Sequence, residues 1–331
     1  MARLGSNPAR GKSSFYQPAR VTAVVLTYIP HLEGYFSQRF DVLRLTISSL
    51  MKHTNVPFDL LVFDNGSCGP VTNYLQELNR AGAIRYLLRS KENIGNVGAL
   101  KIAFQAAPGA VIAYSDDDVY FYPNWLTEQL EILDQFPNAG IVSGVAVRDA
   151  ARHAMNALHG LERGDQQVLV SYGRVIPDTW ETDWAISTGR DPDEHLSVTR
   201  EHQDMILEIN NHQAIGAANH FQFLGFKNVL LEALPDGWPA KLMWDMVQLD
   251  MAIDGNGLLR LSTIQRFCRH IGNVISADLA KEAQAAGFSI ADDRELPKRR
   301  QHWLQSIPGS GRILRRIYES LFRILHDVDL D

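Results

Sequence analysis

The clearest signal along the chain is a series of short apolar runs separated by segments with helical spacing. Val21–Tyr28 (VTAVVLTY) is β-branched and almost wholly apolar, the pattern of a strand covered on both faces. Phe40–Met51 follows, with Val42, Leu43, Leu45, Ile47 and Leu50 at helical intervals. Phe58–Phe63 predicts a second strand, stopped by the turn-forming run Asp64-Asn65-Gly66-Ser67. Val71–Arg80 predicts a helix, Ile84–Leu88 a strand, Ala99–Ala107 a helix and Val111–Tyr114 a strand that ends in Ser115-Asp116-Asp117-Asp118. Trp125–Phe136 reads as a helix and Gly140–Val147 as a strand. Strict strand–helix alternation predicts an open sheet joined by right-handed crossovers, with ligands gathering at the carboxyl ends of its strands. Tyr28, Asp64, Asn93 and Asp116–Asp118 all fall at such ends.

Beyond residue 148 the pattern changes. Residues 149–212 are polar and rich in Asp, Glu, His and Arg, and only Gln167–Tyr172 (strand) and Val198–Ile209 (helix) emerge. Residues 217–226 alternate like a strand, Asn228–Ala233 and Lys241–Asp254 read as helices, and Leu258–Ser262 as a strand. Gly311–Leu325 sets Ile313, Leu314, Ile317, Leu321, Ile324 and Leu325 on one face and Arg312, Arg315, Arg316, Glu319 and Arg323 on the other. Two readings of that helix stay open: packing on protein, including self-association, or peripheral contact with the inner face of a membrane.

Composition removes several classes of function. The 331 residues carry 32 Lys+Arg against 38 Asp+Glu, a net charge of -6, so broad binding to a nucleic-acid backbone is not expected. Cys68 and Cys268 are too few for a disulfide framework, and neither sits in a zinc-binding spacing. Residues 1–20 form a basic, polar arm without an apolar core, unlike a secretory leader, and no run approaches the length of a spanning helix. A cytoplasmic protein is the expectation. The first strand–helix turn, Thr27-Tyr28-Ile29-Pro30, has no glycines, which argues against a dinucleotide-binding fold, and there is no Walker A motif.

Asp116-Asp117-Asp118 is the best chemical clue. Three adjacent carboxylates at a strand end repel one another unless cations neutralise them. Divalent Mg²⁺ or Mn²⁺ would do so while also engaging phosphate.

Taken together, VVLTY, FDNGS, NIGNVGA, YSDDDVYFYPNWL, WDMVQLD and CRHIGN resemble the inverting GT-A glycosyltransferases of family 2, over about Val21–Trp125 and Ala217–Asn273. The resemblance implies an α/β GT-A fold, a Rossmann-like mixed sheet flanked by helices. It implies a flexible arm (1–20), a donor-binding half (21–148), an acceptor-side half (149–275) with an insertion at 149–212, and a helical extension (276–331). It assigns donor binding to Thr27, Tyr28, Asp64, Asn93, Gly95, Asn96, Gly98, Asp116 and Asp117. It assigns the metal, Mn²⁺ or Mg²⁺, to Asp118, Asp116 and His270. Asp245 matches the general base, with Asp250 the alternative and Asp254 third, although Trp244 stands where the family usually has an acidic residue. The implied partners are a nucleotide-sugar donor, most often a UDP-sugar, and a glycan, lipid-linked, protein or small-molecule hydroxyl acceptor. A catalytically silent nucleotide-sugar-binding or scaffold subunit of a glycan-assembly complex is the alternative reading. Trp180 and Trp184 in the insertion are read equally as sugar-stacking or as packing residues.

Overall fold

Seven consecutive residues without a charge, five of them aliphatic or Ala, begin the fold in the computed structural model, which describes residues 7, 9–162, 167–238, 242 and 246–290. They form strand β1 (Val21–Thr27), buried along almost its whole length. The chain continues through α1 (Arg39–His53), β2 (Phe58–Asp64), α2 (Gly69–Arg80), β3 (Tyr86–Arg89), α3 (Asn96–Ala106) and β4 (Val111–Asp116). These are the elements the hydrophobic pattern predicts, displaced by a few residues at their ends. A short strand β5 (Val119–Phe121), α4 (Trp125–Gln135) and β6 (Ala139–Ser143) complete the first half.

The second half contains α5 (Asn156–Leu161), β7 (Leu169–Gly173), α6 (Asp178–Ser187), α7 (Pro192–Val198), β8 (Asp204–Ile209) and β9 (His212–Gly216). It ends with β10 (Gln222–Phe226), α8 (Lys227–Ala233), α9 (Val247–Gly255), β11 (Leu259–Thr263), β12 (Cys268–His270) and α10 (Ala277–Ala285). The helix expected over Val198–Ile209 is a correction: α7 stops at Val198 and the rest turns into strand β8. Met205, Leu207 and Ile209 are buried in alternation with half-buried Ile206 and Glu208, a period of two. The buried Asp204 at the strand's start disguises that pattern by placing a charge where a core residue is expected.

Ten strands make one sheet in the order β3-β2-β1-β4-β10-β6-β11-β9-β8-β7. The block β3-β2-β1-β4 is parallel, whereas β10 runs antiparallel to β4 and to β6. The sheet is therefore mixed, and residues 169–216 extend it with the β7-β8-β9 meander. Strands β5 and β12 pair separately. Helices cover both faces. Leu43, Ile47 and Leu50 of α1 join Trp125 and Leu126 on one side, and Leu100 and Phe104 of α3 join Leu249 and Ile253 on the other. Contacts separate Met1–Ile290 from Ala291–Asp331, and all elements named above lie in the first unit. The amphipathic stretch Gly311–Leu325 lies outside the described residues. Among the described residues, no helix is long and apolar enough to cross a membrane.

Candidate functional site

Two side chains of α1 build the floor of the site. Thr46 Oγ1 donates to the Asp117 carbonyl (3.0 Å) and accepts from Val119 N–H (3.1 Å), while Ser49 Oγ accepts from Phe121 N–H (3.1 Å). A buried helix face thus fixes the backbone that turns from β4 into β5. Opposite β5 lies β12, with His270 in register with Val119, and Ile271 N–H donates to the Asp118 carbonyl at 2.7 Å. This pairing brings His270 beside the acidic run across a sequence separation that no local pattern reveals.

The three carboxylates have different surroundings. Asp116 accepts the Tyr114 hydroxyl, and burial, followed by the charge of Asp118, pushes its pKa up to about 8. Asp117 accepts from Thr27 Oγ1 at 2.5 Å and pairs with Arg39 Nη2; burial nonetheless raises its pKa. Asp118 pairs with Arg39 Nη1 at 2.6 Å and faces His270 Nε2 at 3.4 Å. Burial opposes its charge, yet His270 and Arg39 together hold its pKa below the usual carboxylate range. One Asp118 oxygen, Oδ1, is buried with no hydrogen-bond partner.

His270 is oriented from both ends. Its Nδ1 lies 2.8 Å from Ser187 Oγ at the end of α6, which leaves Nε2 turned to Asp118. Burial, only partly offset by Asp118, lowers its pKa and favours the neutral imidazole. Trp184 stacks on Phe221 (5.3 Å) and meets the His270 ring edge-on (5.3 Å), so this tryptophan packs the site wall. Trp180 likewise packs, against buried Ile176 and Ala146. Gly272 makes the approach of α6 feasible. Its φ is +76° and a Cβ there would sit 2.4 Å from the Ser187 carbonyl oxygen. A cleft of about 700 Å³ opens over this floor, lined by Tyr35, Asp118, Ser187, Arg269, His270 and Gly272.

The remaining donor-side residues hold the carboxyl edge of the sheet. Asp64, paired in register with Thr27, accepts from Ser67 N–H (2.8 Å), Thr72 Oγ1 (3.0 Å) and Arg89 Nε (3.1 Å). Asn65 pins the next loop, donating to Asn93 Oδ1 (2.9 Å) and accepting from Ile94 N–H (3.0 Å). Gly95 N–H is held by Asn93 Oδ1 at 2.9 Å, and Asn96 N–H donates to the Leu242 carbonyl at 2.9 Å. Gly98 faces protein: a Cβ would stand 2.8 Å from the Trp238 ring. Tyr28 is half-buried against Phe36, ring to ring at 6.3 Å.

Among the candidate bases, Asp245 lies outside the described residues. Asp250 is fully buried, its Oδ2 meeting His153 Nε2 (2.9 Å), Arg260 Nη2 (2.9 Å) and His220 Nδ1 (3.2 Å). Burial works against its charge, but these partners lower its pKa, which makes it a weak proton acceptor. Asp254 accepts from Asn156 Nδ2 (2.8 Å) and Ala157 N–H (2.7 Å) and so anchors the start of α5.

Arg39 is the site residue that sequence reasoning missed. An arginine at a helix start reads as a solvated charge, and its partners stand 78 and 79 positions away. Among the described residues, no three His, Cys, Asp or Glu side chains form a ready-made metal cage. The unpartnered Asp118 oxygen beside the His270 ring nonetheless suits a Mg²⁺- or Mn²⁺-like ion that takes its other ligands from a phosphate.

Residues 36–188 match the family model described as glycosyl transferase family 2. No curated protein matches the chain. Similar solved structures include S. aureus TarS 1–349 in complex with UDP, at 15% identity and TM-score 0.32, covering 40% of this chain and 39% of that one. The mannosyltransferase PcManGT from Pyrobaculum calidifontis, in complex with GDP-Man and Mn²⁺, is 21% identical with TM-score 0.33, covering 40% and 37%. GalNAc-T7 with UDP, GalNAc and Mn²⁺ is 16% identical with TM-score 0.46, covering 76% and 43%. The chain spans less than half the length of each of these structures.

Proposed function

We propose that this chain, which carries a family 2 glycosyltransferase domain on a GT-A fold, moves a sugar from a nucleoside diphosphate to an acceptor hydroxyl with inversion. The observation that carries the reading is the acidic run at the end of β4. Two neighbouring carboxylates, Asp117 and Asp118, are buried there beside half-buried Asp116, and an unpartnered Asp118 oxygen lies at the floor of a cleft. Burying that much negative charge costs stability, and a site that recruits a cation is the economical explanation.

In this reading Thr27, Tyr28 and Asp64 border the nucleoside, and the Asn93–Gly98 loop borders the donor from the next strand end. Asp118 and His270 would hold a divalent ion, with Asp116 the neighbouring carboxylate. Such an ion neutralises the charge that builds on a departing diphosphate. Arg39 supplies further positive charge, and Thr27 fixes the carboxylate of Asp117 through its hydroxyl. The acceptor oxygen attacks the anomeric carbon opposite the breaking bond to phosphate. Its proton passes to a carboxylate, for which Asp245 is our assignment, a contribution typically worth about 10²–10⁴-fold. Uridine is the donor base we favour.

The test is thermal unfolding with UDP, GDP, CDP or dTDP, each with Mn²⁺, Mg²⁺ or chelator. A ligand at about 100 times its Kd adds about 2.7 kcal/mol, roughly 5–10 °C for a chain of this size. A metal-dependent rise with one nucleotide, lost in Asp118→Ala, is the expected result. No rise with any of them defeats the donor reading and favours the silent scaffold subunit.

A further inference from the structure

Arg39 sits where the acidic run needs a cation. Its guanidinium spans two neighbouring carboxylates, Nη2 on Asp117 and Nη1 on Asp118, and Nη1 also reaches the Gly272 carbonyl at 3.2 Å. Its pKa stands well above its ordinary high value, because Asp117 and Asp118 outweigh its own desolvation. The second oxygen of Asp118 has no partner. A divalent ion arriving alone at that oxygen would meet a positive charge already bonded to the same carboxylate. A nucleoside diphosphate removes the conflict, since phosphate oxygens accept the planar guanidinium fork as readily as carboxylates do. Arg39 is also well placed to change partners. It is the first residue of α1, and Tyr35, four residues earlier, lines the cleft.

We propose that Arg39 is an exchangeable counter-ion: it neutralises Asp117 and Asp118 in the empty protein and passes to the diphosphate of an incoming nucleotide. Metal and nucleotide then enter as a coupled pair, each raising the other's affinity. The inference rests on the nucleotide-donor reading above and makes Arg39 a direct ligand of the diphosphate there.

The experiment is Mn²⁺ titration followed by electron paramagnetic resonance, which counts free ion and does not depend on turnover. The full chain and Arg39→Met are each titrated with Mn²⁺ alone and with UDP or GDP present. For the native chain, the nucleotide should strengthen Mn²⁺ binding by a factor within the usual coupling range of about 5–150. In Arg39→Met, Mn²⁺ alone should bind at least about tenfold more tightly, and the nucleotide should add little. Unchanged or weaker binding of Mn²⁺ alone in Arg39→Met overturns the proposal. If circular dichroism shows that Arg39→Met does not fold, Arg39→Lys decides. Its single ammonium cannot span both carboxylates, so Mn²⁺ alone should still tighten, and an unchanged affinity overturns the proposal. A native chain that binds no nucleoside diphosphate defeats the donor reading instead. Tightening of Mn²⁺ alone in the variant would then survive, so the two failures are distinguishable.

Discussion

Two buried ionic clusters, one in each half of the chain, use the same chemistry to different ends. At the start of the insertion, Arg148 is fully buried and bonds the insertion's Asp204 with Nε (2.9 Å) and Nη2 (3.1 Å), while its Nη1 reaches Asp178 at 3.3 Å. Asp204 also accepts from Val175 and Ile176 N–H, at 2.8 and 2.9 Å. Glu181 takes Arg148 N–H at 2.9 Å and lies 2.7 Å from His195 Nε2. No side-chain atom of these five residues is left buried without a partner. The Arg39–Asp117–Asp118 cluster is less tightly enclosed than the Arg148–Asp204 pair and keeps one carboxylate oxygen unsatisfied. The closed network locks the fold, whereas the spare Asp118 oxygen is available to a ligand because Asp118, unlike the similarly unsatisfied Asp250, lines the cleft.

The largest expected effect falls on the closed cluster. Arg148→Met should destabilise the chain by about 3–5 kcal/mol in denaturant unfolding, because Asp204 is left charged and buried. Asp118→Asn should behave in the opposite way. Asp117 still neutralises Arg39, so stability should stay within about 1 kcal/mol of the native chain, while transfer falls on the order of 10²–10³-fold. If Asp118→Asn unfolds as readily as Arg148→Met, the contrast between the clusters is wrong. Glu181→Gln removes a charge but keeps an acceptor for Arg148 N–H, and should cost about 1–2 kcal/mol in the same unfolding assay.

The smallest effect concerns Asp278, whose carboxylate is mostly exposed. Burial opposes its charge, but Ser276 and Arg269 together outweigh it and lower its pKa to about 2. A depressed carboxylate stabilises the fold above its unfolded pKa, and that contribution disappears as pH falls from about 4 toward 2. Solvent screening limits it to a few tenths of a kcal/mol. Comparing Asp278→Asn with the native chain across that range should show a small stability gap that closes with acid.

The parallel block β3-β2-β1-β4 was legible because strands buried on both faces are written as unbroken apolar runs such as VTAVVLT. The carboxylates at their ends were legible for the same reason, since a charge after such a run must emerge at the sheet's edge. The insertion resisted reading because its core contains charged and titratable groups: Glu181, His195 and Asp204 occupy positions where a pattern of apolar residues would announce an element. Its helices α6 and α7 therefore leave no periodic signal, and the residues of β8 read as a helix. Arg39 was illegible for another reason. Its role depends on partners in a different strand–helix unit, and nothing in Ser37-Gln38-Arg39-Phe40 distinguishes it from a solvent-facing arginine.

The sheet's strand order also has a consequence in time. Strand β4 ends at Asp116, yet the strand that covers its free edge, β10, begins only at Gln222. At synthesis rates of about 5–20 residues per second, that edge waits roughly 5–20 s on the ribosome for its neighbour. During that interval β4 offers unpaired backbone amides and carbonyls to any passing strand. The nascent chain is thus open to misassembly at the strand that bears the acidic run.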